Sequence, residues 1–410
     1  MPPIGWYAVV LAVAALSTAA LTPVARWFSL KVGYVALPDP RKVHKAATAS
    51  GGGAALFLGF LLAMIVAAVV PAFHNVFASS SEPLGVVLAG AAIFAVGLID
   101  DIRDMSAPAK MAGEVLAASI LYFLGVTMYQ FKIPLAGFVV LSPSVIPLIT
   151  ALWVIALTNA VNFIDGLDGL AAGIVAIGSG ALAVYGLQLM RLGILPASNV
   201  GPLVAVIACG ICLGFLPFNF HPAKIFMGDS GALFLGLLMS AATMVIGGRL
   251  PPATSGTTYF FYAPLFIPFF ILGVPLIDMG FAVARRTASK GTKFHTPDRN
   301  HIHHRLLRLG HGHRRSVVIL WAWTALLSGF LLFPLFAHQV NAVIPFVVAA
   351  LAIGLYTFFH PGLRGKGEED LGEFEEADEP AGPDGNGAPR PAPEPPGGAL
   401  SGLGRGTGNP

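Results

Sequence analysis

Eleven long apolar segments separated by short polar loops limit what this chain can fold into. A helix needs about 17–25 mostly apolar residues to cross the hydrocarbon core of a bilayer, and most of these segments approach or reach that length. The chain is 55% hydrophobic and only 11% charged, so a soluble globule would lack the polar surface to cover itself. The segments lie at about 6–25, 54–72, 84–99, 111–129, 144–161, 167–190, 200–217, 231–248, 260–284, 316–337 and 340–359.

The distribution of basic residues predicts the orientation of the segments. All 24 lysines and arginines except Lys132, Arg191 and Arg249 fall on alternate loops or on the tail, and the positive-inside rule places such loops in the cytoplasm. The first basic residue, Arg26, follows the first apolar segment, which favours a retained span over a cleaved signal peptide. We therefore expect an all-α polytopic membrane protein with about 11 transmembrane helices, its N-terminus outside and its C-terminus cytoplasmic.

A change in composition near residue 360 divides the chain into two parts. Residues 1–360 contain all the apolar segments and form the predicted transmembrane domain. Residues 361–410 are first acidic and then rich in proline and glycine, which predicts a disordered cytoplasmic tail. The net charge of +3 gives no support for nucleic-acid binding, and Cys209 and Cys212 are interpreted as small core residues.

Five polar stretches that could carry chemistry all fall on the predicted cytoplasmic side. We call them the polar islands. An ionisable side chain at the bilayer centre costs roughly 2.5–3.5 kcal/mol on the mildest scale, so carboxylates are expected at helix ends. The islands are "PDPRKVHKAATASGGG" (38–53), "GLIDDIRD" (97–104), "NAVNFIDGLDGLAAG" (159–173), "FNFHPAKIFMGDSGALFLG" (218–236) and "FHTPDRNHIHHRLLRLGHGHR" (294–314).

Paired carboxylates close one apolar segment at Asp100 and Asp101. Taken alone, the pair is interpreted as a solvated helix end. Adjacent carboxylates also attract a divalent cation, or raise the pKa of one partner so that it can accept a proton. The sequence leaves both interpretations open for the isolated pair.

Two further islands are rich in oxygen ligands. Asp165 and Asp168 are three residues apart and would share a face at a helix start, and Asn162 precedes them. Asp229 lies in "GDSG", a string too short to identify a serine nucleophile, and is interpreted as a helix cap or a metal ligand. Carboxylate and amide oxygens are the ligands that Mg²⁺ prefers.

The fifth island groups histidines and arginines in "HIHHR" (301–305). Zinc ligation is the less favoured interpretation, because the histidines lack helical i, i+4 spacing and no nearby cysteine is available. Imidazole and guanidinium groups suit phosphate oxygens. Together, the islands predict metal-assisted phosphoryl transfer at a membrane surface, with a lipid phosphate and a water-soluble second substrate.

The five islands, in this order, resemble the polyprenyl-phosphate N-acetylhexosamine-1-phosphate transferases over about residues 30–315. The resemblance implies attack of a polyprenyl phosphate on UDP-GlcNAc, giving polyprenyl-diphospho-GlcNAc and UMP and initiating a cell-envelope polysaccharide. "PDPRKVH" and "PDRNHIHHRLL" resemble the UDP-GlcNAc branch, and "HIHHRLLRLGHGHRRSVVILW" is similar to actinobacterial enzymes of that branch. Phospho-MurNAc-pentapeptide transfer is the alternative, and a membrane transporter is disfavoured.

The resemblance also implies roles for acidic and amide residues, and a Mg²⁺ cofactor for which Mn²⁺ could substitute. Asp229 would be the main metal ligand and Asn162 a second one. Asp100 would deprotonate or orient the lipid phosphate, with Asp101 beside it near the metal.

The nucleotide and its phosphates would contact the remaining site residues. Asp168 and Asn219 would hold the uridine, with Asp165 nearby, and Phe226 would stack on the uracil. His303 and His304 would line the pyrophosphate as catalytic residues. The other basic residues implied to bind substrate are Lys45, Lys110, His301 and Arg305. A plasma-membrane location and a possible homodimer complete these predictions.

Overall fold

The computed structural model describes residues 1–36, 48–133, 137–249, 312–336 and 343–359, which are predominantly helical. Seven of the described helices are long and apolar enough to cross a membrane. The prediction of a multi-pass helical membrane protein is therefore confirmed. The count of eleven spans and the orientation of the two termini stay predictions.

Ten of the eleven apolar segments coincide with helices in the described parts of the chain. The segment 260–284 and the tail 361–410 lie outside the described residues. A short 3₁₀ helix at Pro71–Phe73 precedes α3. The helices are α1 (Ile4–Val32), α2 (Gly52–Val69), α3 (His74–Ala78), α4 (Glu82–Arg103), α5 (Ala107–Phe123), α6 (Ile146–Ile164), α7 (Leu170–Arg191), α8 (Gly201–Asn219), α9 (Gly228–Gly247), α10 (Gly312–Phe336) and α11 (Val343–Phe359).

Helix α9 is the most enclosed of the seven spanning candidates, with 94% of its most apolar window buried. It packs against α2, α4, α6, α7 and α8. Lipid tails are as apolar as leucine, so close van der Waals packing rather than a hydrophobic driving force must hold such a helix. Small residues supply this packing. A Cβ atom on Gly236 would lie 2.5 Å from the Cα atom of Thr158 on α6.

A second close contact joins the first helix to α8. Gly210 and Gly214 are four residues apart and so lie on one face of α8. A Cβ atom on Gly214 would lie 2.1 Å from the carbonyl oxygen of Ala15, and one on Gly210 would lie 2.7 Å from that of Leu11. This small-xxx-small spacing lets the backbones of two membrane helices approach directly.

Short connections place many helix ends together at one end of the bundle, which we call the site end. Helix α4 ends at Arg103 and α5 begins at Ala107, and α6 ends at Ile164 before α7 begins at Leu170. The C-terminal ends of α4, α6 and α8 therefore lie beside the N-terminal ends of the helices that follow them. The polar islands that the structure describes occupy these positions.

A small three-stranded sheet also lies at the site end and was not predicted. Strand β1 (Val35–Ala36) pairs antiparallel with β2 (Thr48–Ser50). Strand β2 in turn pairs parallel with Ile225–Phe226, which we label β5. The strands have two or three residues each, too few for period-2 alternation to be recognised in a sequence. The sheet joins the start of α2 to the segment that leads into α9.

The opposite end of the bundle carries a hairpin and a partly buried ion pair. Strand β3 (Gln130–Ile133) pairs antiparallel with β4 (Gly137–Val140). Arg249 donates from Nη1 to Glu82 Oε1 at 2.5 Å and from Nη2 to the carbonyl oxygen of Gly125 at 2.6 Å. These bonds connect the end of α9 to the start of α4.

The glycine contact between α9 and α6 can be tested by substitution. We expect Gly236→Ala to destabilise the protein by about 1–3 kcal/mol, because the added methyl group overpacks against the backbone of α6. Thermal unfolding in detergent micelles would measure a lowered Tm. Gly354→Ala is the matched control, since a Cβ atom there meets nothing within 4 Å and alanine favours a helix. Equal Tm values for Gly236→Ala and the wild type would contradict the contact.

Candidate active site

The ammonium group of Lys110 lies at the centre of the polar residues at the site end. Its Nζ atom donates to Asp100 Oδ2 at 2.8 Å and forms a short ion pair with Asp229 Oδ2. Lys110 is in the first turn of α5, Asp100 in the last turn of α4 and Asp229 in the first turn of α9. Three helices thus contribute one charged side chain each, and the lysine offsets the repulsion between the two carboxylates.

Asn162, near the end of α6, completes this charged centre. In the amide orientation that satisfies both neighbours, its nitrogen donates to Asp229 Oδ1 at 3.2 Å and its oxygen accepts from Lys110 Nζ at 3.1 Å. We call Asp100, Lys110, Asn162 and Asp229 the charged centre. The sequence predicted all four as site residues, and the structure brings them into contact.

The two adjacent carboxylates of α4 point at different partners. Asp100 Oδ1 accepts from the backbone N–H of Met105 at 2.6 Å, while its Oδ2 faces Lys110. Asp101 instead accepts from the backbone N–H groups of Asp229 and Ser230, at 2.8 and 3.0 Å. The interpretation of Asp229 as a helix cap is wrong, because Met227 occupies the N-cap position of α9 and the Asp229 side chain pairs with Lys110.

Asp165 and Asp168 lie on the connection between α6 and α7, one directly after α6 and the other before α7 begins. The expectation that they share a face at a helix start is therefore wrong. Burial raises the pKa of Asp165 well above its usual range, and the negative charges of Asp229, Asp101 and Asp168 raise it further. In the described parts of the chain, no hydrogen bond or ion pair to its carboxylate compensates this repulsion.

Asp168 belongs to a separate cluster with two histidines. His221 Nδ1 lies 2.6 Å from Asp168 Oδ2, which also accepts from the backbone N–H of Ala223 at 3.1 Å. The backbone N–H of Asp168 donates to His313 Nε2 at 3.0 Å. The two imidazole rings stack with centroids 4.3 Å apart. Arg314 adds a bond from its Nε to the carbonyl oxygen of His221, at 3.0 Å.

Asn219 connects this cluster to the small sheet. Its Oδ1 accepts from the backbone N–H of Gly169 at 3.1 Å, and its Nδ2 donates to the carbonyl oxygen of Ile225 at 3.0 Å. The side chain is buried, so it joins the loop before α7 to β5. The next residue on β5, Phe226, is half-buried, which leaves part of its ring accessible.

Sequence reasoning missed His221, His313 and Arg314. All three lie in the polar islands "FNFHPAK" and "GHGHR", so their position in those islands was the available signal. Five predicted site residues fall outside the described residues, and their placement is not tested. These are Lys45, His301, His303, His304 and Arg305.

Among the described residues, two groups of side chains could hold a metal ion. In the charged centre, oxygens of Asp100, Asn162 and Asp229 surround the Lys110 ammonium group, which marks a place where positive charge is stabilised. These hard oxygen ligands fit Mg²⁺ or Mn²⁺. The centre thus offers oxygen ligands for a cation and an ammonium group for phosphate oxygens.

The second group consists of Asp168, His221 and His313, whose ligand atoms lie within 4.8 Å of one another. Its imidazole nitrogens contact Asp168 from two stacked rings. His221 Nδ1 faces a carboxylate oxygen of Asp168, and His313 Nε2 accepts from the Asp168 backbone N–H, so both ring nitrogens already have a hydrogen-bond partner. This arrangement suits hydrogen bonds better than tetrahedral zinc, which needs converging lone pairs.

Comparison with known proteins assigns this chain to a family. The model of "Glycosyl transferase family 4" matches residues 83–247, from α4 to α9. Decaprenyl-phosphate N-acetylglucosaminephosphotransferase of Mycobacterium tuberculosis (strain ATCC 25618 / H37Rv) is 38% identical over 325 residues, which is 77% of this chain and 79% of the relative.

Two further relatives extend the comparison. The probable undecaprenyl-phosphate N-acetylglucosaminyl 1-phosphate transferase of Bacillus subtilis (strain 168) is 36% identical over 310 residues, 75% of this chain and 79% of the relative. Phospho-N-acetylmuramoyl-pentapeptide-transferase of Desulforudis audaxviator (strain MP104C) is 33% identical over 229 residues, 51% of this chain and 66% of the relative. The chain therefore belongs to glycosyl transferase family 4, in the branch of the decaprenyl-phosphate N-acetylglucosaminephosphotransferases.

Proposed function

We propose that this protein transfers N-acetylglucosamine-1-phosphate from UDP-GlcNAc to a polyprenyl phosphate. An oxygen of the lipid phosphate attacks the β-phosphorus of UDP-GlcNAc. The bond from that phosphorus to the bridging oxygen breaks, and UMP leaves with the bridging oxygen. The products are polyprenyl-diphospho-GlcNAc and UMP, and the lipid product would start a cell-envelope polysaccharide.

The observation that carries this proposal is the charged centre itself. Asp100, Lys110, Asn162 and Asp229 come from four helices and meet at one end of a membrane bundle. Phosphoryl transfer depends mainly on positioning and on neutralising the charge of the phosphate oxygens. The end of a spanning helix lies at the depth of lipid headgroups, so a lipid phosphate and a soluble nucleotide can both reach these residues.

Mg²⁺, or Mn²⁺ in its place, is the proposed cofactor. Asp229 would be its main ligand, with the amide oxygen of Asn162 as a second. When bound, the metal would supply positive charge for the diphosphate of the nucleotide. Lys110, which pairs with both carboxylates, would then be available to bind a phosphate oxygen.

Asp100 is the proposed contact for the lipid phosphate. Its carboxylate is held by Lys110 and by the N–H of Met105, so its orientation is set before substrate binds. We favour direct attack by the lipid phosphate over a phosphorylated-aspartate intermediate. A phosphate monoester has a second pKa of about 6, so most of it carries a free anionic oxygen at neutral pH without help from a base.

The cluster around Asp168 is the proposed nucleotide end of the site. Asp168 and Asn219 would hold the uridine, and the half-buried Phe226 would stack on the uracil. His221 would hold the Asp168 carboxylate through the 2.6 Å contact. Asp165, between this cluster and the charged centre, would face the diphosphate. Lys45, His301, His303, His304 and Arg305 are proposed to complete the phosphate-binding surface.

The family assignment favours this reaction over the transporter and the muramoyl-pentapeptide alternatives. The Mycobacterium tuberculosis and Bacillus subtilis relatives exceed the Desulforudis audaxviator relative in both identity and coverage. A plasma-membrane location with the site end in the cytoplasm is proposed from the distribution of basic residues. The homodimer stays a prediction.

A sugar-nucleotide panel tests the reaction. Purified protein in detergent with Mg²⁺ and a polyprenyl phosphate should release UMP from UDP-GlcNAc. Mass spectrometry should detect the lipid diphospho-sugar. Omitting the lipid should abolish UMP release, and Asp229→Asn should remain inactive across a Mg²⁺ titration. Turnover of UDP-MurNAc-pentapeptide without turnover of UDP-GlcNAc would transfer the assignment to the muramoyl reaction.

The raised pKa of Asp165 predicts a pH-dependent cost to stability. An unfolded aspartate ionises near pH 4, whereas the folded protein holds this proton to higher pH. Stability is therefore lost as the pH rises above about 4, because the unfolded state releases the proton first. We expect Asp165→Asn to raise the metal-free Tm by a few degrees at pH 7.5 and to have no effect at or below pH 4.

Asp104→Asn is the matched control for this measurement. Asp104 is an exposed carboxylate at the end of α4, so its replacement should leave the pH dependence of Tm unchanged. A Tm difference for Asp165→Asn that is the same at pH 4 and pH 7.5 would show that charge on Asp165 is not its cause.

His221 provides a test of the nucleotide end. His221→Ala removes a hydrogen bond to a buried carboxylate, and bonds to charged groups contribute about 1.5–3 kcal/mol. We expect the KM for UDP-GlcNAc to rise by roughly tenfold or more, with kcat changed less than KM, in a steady-state assay of UMP release. His74→Ala is the control, because His74 is an exposed residue of α3. An unchanged KM would remove His221 from the nucleotide end.

A further inference from the structure

We propose that Asp101 is a positioning residue whose carboxylate caps α9 and thereby places Asp229, so that Asp100 alone of the adjacent pair faces the charged centre. This inference rests on the proposed function, because it assigns a role within the same site. It separates two carboxylates that the sequence presents as equivalent.

Both oxygens of Asp101 accept hydrogen bonds from the backbone of α9. Oδ1 accepts from the N–H of Asp229 at 2.8 Å and Oδ2 from the N–H of Ser230 at 3.0 Å. The first N–H groups of a helix have no partner within the helix, and a carboxylate there is stabilised by the helix dipole. The residue at the N-cap of α9, Met227, makes no side-chain cap bond. Asp101, on α4, therefore binds the free N–H groups of α9, as an N-cap side chain does for its own helix.

The backbone around this cap leaves little room for movement. Gly228 has φ +69°, and a Cβ atom there would lie 2.7 Å from Asp101 Oδ2. One turn earlier on α4, a Cβ atom on Gly97 would lie 2.5 Å from the Cα atom of Ser230. Glycine at both positions lets the carboxylate and the α4 backbone contact the first turn of α9 directly. Asp101 and the two glycines thus bring the end of α4 into direct contact with the first turn of α9.

Asp100 has a different set of partners. Its oxygens bind Lys110 and the N–H of Met105. Among the described residues, Asp101 forms no hydrogen bond or ion pair with Lys110. Its carboxylate instead accepts from the backbone N–H of Asp229, and the side chain of Asp229 pairs with Lys110. A shift of about 1 Å in a reacting group can cost about 10²-fold in rate, so a loosened cap should act through the displaced Asp229.

The test uses the full-length protein in detergent micelles, as Asp101→Asn, Asp101→Glu and Asp104→Asn. Asparagine keeps one acceptor but turns an NH₂ group towards a backbone N–H. We expect the metal-free Asp101→Asn variant to show about tenfold faster hydrogen–deuterium exchange in the peptide covering 227–234. We also expect about tenfold weaker Mn²⁺ binding by electron paramagnetic resonance and a kcat lowered by about 10²-fold.

Two readouts separate positioning from direct chemistry. Residual activity of Asp101→Asn should keep the acidic limb of the wild-type pH–rate profile, because Asp101 accepts no proton from substrate. Asp101→Glu keeps both acceptors and should recover part of the exchange protection and of kcat. Asp104→Asn removes a carboxylate that lies three residues after Asp101, at the same end of α4, and this variant should match the wild type in every measurement.

Unchanged exchange at 227–234 in Asp101→Asn, or loss of the acidic limb, would overturn the inference. If Asp101→Asn does not elute as a folded species, the Asp101→Glu variant provides the test. Hydrogen–deuterium exchange at the wild-type rate together with lost activity in Asp101→Glu would contradict a positioning role. Exchange does not depend on turnover. A wild type that releases no UMP, with faster exchange in Asp101→Asn, would refute the proposed function and leave the cap in place.

Discussion

Direct backbone contact between α9 and its neighbours is the constraint on which the rest of the structure depends. Gly236 lets α9 approach α6, and Gly97 lets α4 approach the first turn of α9. These contacts hold the starting residues of α9 among the ends of other helices. Asp229 consequently meets side chains from α4, α5 and α6 without any long loop to position it. A larger side chain at either glycine would separate the helices and the charged groups together.

Three carboxylates at the site end are compensated in different ways. Asp100 pairs with the ammonium group of Lys110, Asp101 with the N–H groups of a helix start, and Asp168 with His221. Paired charges tolerate partial burial, whereas an unpaired carboxylate loses its hydration and gains no ion pair or hydrogen bond in exchange. Asp165 has no such partner in the described part of the chain, and burial raises its pKa accordingly. The uncompensated carboxylate lies between the proposed metal and nucleotide positions, where a bound cation could relieve its repulsion.

The helices could be predicted from the sequence because a membrane leaves the backbone few alternatives. Each spanning segment must satisfy its own N–H and C=O groups, so apolar length alone indicates α6 or α8. The sequence also predicted that the four residues of the charged centre lie at one end of the bundle, since alternate loops of a multi-pass protein lie on the same side of the membrane. The small sheet was missed because strands of two or three residues carry no readable pattern. His221 and His313 were missed because a histidine in a polar loop looks the same with or without a partner.

The sequence by itself determined that the chain spans a membrane, that its polar residues gather at one end, and which residue types are available there for phosphate and metal. Only the tertiary structure decided which carboxylate meets which partner. Asp100 and Asp101 are neighbours in sequence, yet successive residues of a helix point about 100° apart. Asp101 reaches the N–H of a residue 128 positions away. Such a pairing depends on how two helices rotate and approach each other, which is set by glycine contacts distributed over several helices and not by local spacing.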